Sequence, residues 1–171
     1  PKTKAAINDV SFQIKRGESV ALFGKNGAGK STFLRLISGI YKSLSGEITF
    51  EGEKLYDNPT IKDKIAFVPD DIYFLPAGKM KDMEKLYAAA HKNFSKERFE
   101  NLMTTFSLPL KKPISSFSKG MKRQAAIILA LSTMPEYLFL DETFDGLDVV
   151  MRDLVKRVIY TDVAERNTTV V

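Results

Sequence analysis

Gly24-Lys25-Asn26-Gly27-Ala28-Gly29-Lys30-Ser31 stands between the apolar run Ser19-Val20-Ala21-Leu22-Phe23 and the segment Thr32-Phe33-Leu34-Arg35-Leu36-Ile37. Three glycines let a main chain curl until successive N–H groups point into one concavity, and such a concavity holds anions. Lys30 adds a flexible positive charge for the outer phosphates, a candidate catalytic role, and Ser31 offers a hydroxyl to Mg²⁺. The free amides and dipole of the helix that follows favour the same negative charge. Gly24 through Thr32 is therefore the expected phosphate contact. A second stretch, Glu136-Tyr137-Leu138-Phe139-Leu140-Asp141-Glu142, reads as a buried strand ending in two carboxylates, a Walker B pattern. Asp141 is suited to hold Mg²⁺ or its waters. Glu142 is suited to polarise a water for in-line attack on a terminal phosphate. Together the two stretches make complementary halves of a Mg-nucleotide site.

These groups need a scaffold to bring them together. Ala6 to Ile14 alternates apolar and polar residues, and Lys15-Arg16-Gly17-Glu18 turns it toward Ser19–Phe23, so an antiparallel pair of strands is expected before the loop. A helix from Ser31 carries Phe33, Leu34, Leu36, Ile37 and Ile40 on one broad apolar face. Glu47–Phe50 and Lys64–Val68 read as strands. The pattern then changes: Lys79–Asn93 and Ser95–Ser107 are two successive amphipathic helices without a strand between them, and they predict a helical subdomain. A further helix opens at Ser118, a good N-cap, so the subdomain spans 79–132. Asp148–Glu165 predicts a last helix and Thr168–Val171 a strand. His91, the only histidine, has no partners at metal-ligand spacing and reads as structural.

Composition narrows the classes. At 171 residues and 44% hydrophobic content the chain suits one domain, 1–171, with a substantial core. Its 26 basic and 21 acidic residues give a net charge of +5, interspersed and without the long basic block that points to nucleic acid. The absence of cysteine excludes disulfides and thiolate metal sites. No apolar run approaches the roughly 20 residues of a membrane-spanning helix and no signal-peptide pattern is present, so a soluble chain without direct membrane insertion is expected.

Phe117-Ser118-Lys119-Gly120-Met121, shortly before the Walker B stretch, resembles the signature motif of ATP-binding cassette ATPases, commonly Leu-Ser-Gly-Gly-Gln. Gly146-Leu147-Asp148 resembles the D-loop of that family, and Pro69-Asp70 sits where its Q-loop is expected. The resemblance covers nearly the whole chain. It implies an α/β, P-loop NTPase fold with a mainly parallel central sheet, N-terminal antiparallel strands and a helical subdomain. It further implies ATP and Mg²⁺ as cofactors, with Ser118, Gly120 and Asp148 meeting nucleotide held by a second subunit and Asp70 joining Ser31 and Asp141 near the metal. Implied partners are another cassette subunit, identical or paired, and a separate transmembrane permease, which places the chain in the cytoplasm at the inner face of the cell membrane.

The family pattern is departed from at several points. Asp70 replaces the usual Gln, Thr143 the Pro common after the Walker B Glu, and Asp145 a common D-loop Ser. An adenine-stacking aromatic is expected upstream of Ala6 and a switch histidine beyond Val171, and neither occurs, so the chain is expected to be a fragment with weak adenine binding and poor hydrolysis by itself. Three other readings share the motifs: a soluble cassette ATPase acting on ribosomes or DNA, a regulatory module that senses ATP without hydrolysing it, and a small-molecule phosphotransferase. Retention of Glu142 argues against the second, and a phosphotransferase has no use for the Ser118–Gly120 anion site.

Overall fold

The computed structural model describes residues 6–171. Its first helix, α1 (Lys30–Ile37), starts where Gly29 takes φ +96°. A short hairpin follows, β1 (Thr49–Phe50) and β2 (Glu53–Lys54), turning through Glu51 and Gly52, both at positive φ. Next comes a single turn, α2 (Pro59–Lys62), with proline in a first-turn position that lacks an amide partner anyway and the Asn58 side chain accepting from Ile61 N–H. Strand β3 (Ile65–Val68) leads to the helices α3 (Met80–Ala90), α4 (Lys96–Thr105) and α5 (Lys119–Ser132). The chain then runs through β4 (Tyr137–Leu140), α6 (Val149–Arg166) and β5 (Thr169–Val170). Ser95, Ser118 and Asp148 cap α4, α5 and α6, each side-chain oxygen accepting the free amide three residues on. Asn167, at φ +57°, closes α6 in the left-handed conformation.

The centre is a parallel sheet in the order β3-β4-β5, with Ile65 opposite Tyr137, Val68 opposite Leu140, and Tyr137 opposite Thr169. Alternate residues of a strand face opposite ways. Accordingly Ala66, Val68 and Leu138 belong to one apolar cluster, with α5 residues Ile127, Ile128 and Leu129, while Ile65, Tyr137 and Phe139 belong to another, with Leu34 and Ile37 of α1. A sheet covered on both faces explains why its strands are nearly all apolar. Met80, Met83 and Met103 of the helical segment are buried in the same cluster as Ala66, Val68 and Leu138, together with Phe99 and Leu102. No helix of the described residues is long and apolar enough to cross a membrane.

One expectation needs correction. Among the described residues no ladder forms over 6–14, and 19–23 does not pair with it; the antiparallel ladder present is that of β1 with β2, beside an isolated antiparallel bridge between Lys79 and Pro113. Instead Val20 N–H donates to Val170 O and Val170 N–H to Glu18 O, both 2.9 Å, which sets residues 18–20 parallel beside β5. Alternation fixes which side chains share a face but supplies no neighbour for the backbone groups. Ile14, Val20 and Leu22 keep the apolar part of the role, packing on the α1 side of the sheet.

Because α5 carries both sheet contacts and the capped Ser118 end, its central residues govern the stability of the whole. Ile128→Ala removes a side chain with no solvent exposure and is expected to lower unfolding free energy by about 2–5 kcal/mol in urea titration. A change within error would remove α5 from the core.

Candidate functional site

The 24–31 loop closes on itself. Ala28 N–H donates to Lys25 O (3.0 Å), and the Lys30 ammonium donates to Gly24 O (3.0 Å) and Lys25 O (3.4 Å). Gly27 and Gly29, at φ +80° and +96°, occupy backbone conformations that L side chains avoid, and a Cβ on Gly29 would stand 3.0 Å from Ala6 O. Lys25 and Asn26 are exposed at the tip, and Thr32 is half-buried in the first turn of α1.

Parallel pairing delivers the other half. Asp141 N–H continues the ladder to Val68 O (2.9 Å), and its carboxylate, only 2% exposed, accepts from Ser31 Oγ at 2.9 Å across 110 residues of sequence. Asp141 Oδ2 is buried and has no hydrogen-bond partner. Leaving such an oxygen bare costs about 1–3 kcal/mol or more, so a carboxylate oxygen beside a serine hydroxyl and a phosphate loop fits a cation. Among the described residues no cage of three or more acidic or histidine side chains forms. A cation that keeps several waters and takes its remaining ligands from substrate phosphates, as Mg²⁺ does, needs none.

Glu142 follows at φ +48°, the left-handed region, and is exposed. That kink turns two successive carboxylates to different surroundings, one buried at the sheet edge and one open to water. Lys30, Asp141 and Glu142 line the same cleft of about 470 Å³, together with Phe144, Lys156 and Tyr160.

The remaining expected residues gather elsewhere. Ser118 Oγ is engaged by Met121 N–H (3.2 Å), and Asp148 Oδ1 by Met151 N–H (2.8 Å), so each serves as a cap within its own helix. Gly120 abuts the 144–148 turn: a Cβ there would lie 2.9 Å from Gly146 O. The opening of α5 and the 144–148 turn are thus contiguous, and no hydrogen bond joins Ser118, Gly120 or Asp148 to the 24–31 loop among the described residues. Asp70, expected near the metal, has its Oδ1 accepting from the Arg123 guanidinium at 2.7 Å. Arg123 was not singled out by the sequence, although one arginine ahead of the run Ala125–Leu131 was a legible anomaly. Thr143, buried with an unpartnered hydroxyl, was noted only as a departure from the usual Pro. His91 lies 3.9 Å from Asp63 at the end of α3, consistent with a structural role. The adenine-stacking position upstream of Ala6 lies outside the described residues.

Gly120→Ala is expected to force the Gly146 carbonyl aside and lower stability by about 1–3 kcal/mol, readable by chemical denaturation. An unchanged midpoint would mean that the turn yields freely and that the contact is incidental.

Residues 7–145 match the model of a family described as ABC transporter. The ABC transporter ATP-binding protein YtrB of Bacillus subtilis is 33% identical over 164 residues, which cover 96% of this chain and 56% of that protein. A structure of an ATP binding subunit of an ABC transporter superposes with a TM-score of 0.88 at 30% identity, covering 99% of this chain and 73% of the other. CbiO1 of Clostridium perfringens, part of the ABC transporter complex cbiONQ, superposes with a TM-score of 0.75 at 27% identity over 96% of this chain and 70% of its own.

Proposed function

Because the chain belongs to the ABC transporter family, we propose that it binds and hydrolyses Mg-ATP and drives transport through a separate membrane permease. The observation that carries this reading is the Ser31–Asp141 contact with its bare second oxygen, set beside Lys30 and a closed phosphate loop. In this reading the 24–32 amides and Lys30 hold the phosphates, Ser31 and Asp141 hold Mg²⁺, and Glu142, exposed in the same cleft, orients the attacking water. Mg²⁺, when bound, neutralises charge on the transferred phosphoryl group. The Lys30 ammonium spends two of its three donors on Gly24 O and Lys25 O, which leaves a third for a phosphate.

The surface built from Ser118, Gly120 and Asp148 is the proposed contact with nucleotide on a second cassette, since a helix end of this kind favours an anion and no hydrogen bond among the described residues joins it to the 24–31 loop. ATP then closes two subunits head to tail and hydrolysis reopens them. The 79–132 helices form the proposed subdomain within one nucleotide-binding domain, 1–171. The permease would dock on that subdomain at the cytoplasmic face of the membrane, as suits a chain similar to a component of the cbiONQ complex.

Lys30→Ala is expected to weaken Mg-ATP binding about tenfold to a hundredfold, the worth of a hydrogen bond to a charged group, by calorimetric titration; unaltered affinity would contradict the loop assignment. Glu142→Gln in the full-length protein should keep binding, slow hydrolysis about 10²- to 10⁴-fold and accumulate an ATP-dependent dimer by light scattering. Monomers throughout would contradict the dimer. Affinity capture from solubilised membranes should recover a multi-spanning protein in stoichiometric amount. Ribosomal proteins or nucleic acid in its place would favour a soluble cassette with the same ATP site.

A further inference from the structure

Arg123 is a charged side chain with 1% exposure, five residues into α5 from the Ser118 cap. Its two terminal nitrogens donate to one target, while Nε is buried without a partner. Nη1 donates to Pro69 O (2.8 Å) and Asp70 O (3.0 Å), and Nη2 to Asp70 Oδ1 (2.7 Å). The fork therefore grips the main chain and the side chain of the two residues that leave β3, a geometry lysine cannot reproduce. From the other side, Val68 O accepts from Asp141 N–H. The 68–70 segment is thus held between β4, at the residue whose carboxylate meets Ser31, and the helix that begins at Ser118. A buried guanidinium demands a partner, and the carboxylate that answers it is that of Asp70.

We propose that Arg123 is a positioning residue, which fixes Asp70 and the turn after β3 so that the N-terminus of α5 and the nucleotide end of β4 move together. Asp70 is its anionic counterpart and acts through Arg123 instead of ligating the metal. Among the described residues the Ser31–Asp141 pair and the Ser118 end of α5 share no direct bond, and the Arg123 fork supplies a short polar route between them. This inference rests on the Mg-ATP reading for its effect on turnover but not for the grip itself.

The test compares Asp70→Asn, Arg123→Lys and the double variant in the full-length protein. Amide exchange over residues 70–74, measured without nucleotide, should accelerate in Arg123→Lys. ATP affinity should stay within about twofold of wild type, while kcat falls about fivefold to tenfold in each single variant and no further in the double, as for residues in one network. Additive losses, or Asp70→Asn raising the Mg²⁺ requirement while Arg123→Lys turns over normally, would return Asp70 to the metal and overturn the proposal. Should Arg123→Lys fail to fold, Asp70→Asn decides alone, because its side chain is half exposed: a wild-type kcat or wild-type exchange overturns the coupling. A wild-type protein that binds no ATP would instead overturn the Mg-ATP reading, and the nucleotide-free exchange would still decide the grip.

Discussion

A carboxylate buried at the carboxyl edge of a parallel sheet, with one oxygen bonded to a serine and the other bare, is the constraint on which this molecule turns. Asp141 is buried, and its Oδ2 has no hydrogen-bond partner, an arrangement that is costly unless something completes it. The bare Oδ2 is tolerable because Ser31 Oγ occupies Oδ1 and because the phosphate loop opens beside it. Every larger feature serves that meeting. β4 must be buried on both faces to carry Asp141 to the edge. β3 and β5 flank it, and α1 must leave the loop directly so that Ser31 arrives at the same point.

The same edge explains why the two carboxylates after β4 differ. Asp141 still belongs to the ladder through Val68 O. Glu142, one residue on, has turned into the left-handed region and faces water. Residues held in that conformation without being glycine carry backbone strain that the surrounding structure must sustain. Here the strain separates a buried carboxylate, Asp141, from an exposed one, Glu142. Beyond it, the 144–148 turn packs on Gly120, so the chain leaving the cleft runs straight onto the opening of α5.

Local patterns were legible in the sequence, and pairings across long separations were not. The 24–31 loop, the Ser118 cap and the strands β3 and β4 depend on residues within a few positions of one another, and they appear where expected. The helices α3 and α4 were also foreseen, but their packing into the sheet's own cluster depends on tertiary contacts. The 6–14 strand failed for a related reason: its alternation described a surface, whereas a strand also needs a neighbouring backbone. Gly120 was read as an anion contact, yet the structure adds a steric reason for glycine in the Gly146 carbonyl. Arg123 and Asp70 lie 53 residues apart, and neither residue alone predicts the other.

The account is tested most directly by the metal itself. Mn²⁺ can replace Mg²⁺ and be followed by electron paramagnetic resonance as ATP is added to the wild-type protein and to Asp141→Asn. The account predicts a protein-bound Mn-ATP signal in the wild type that is lost or greatly weakened in the variant, with Asp141 supplying the missing ligand or ordering its waters. Identical bound signals in the two proteins would contradict it, because the buried carboxylate would then have no part in holding the cation.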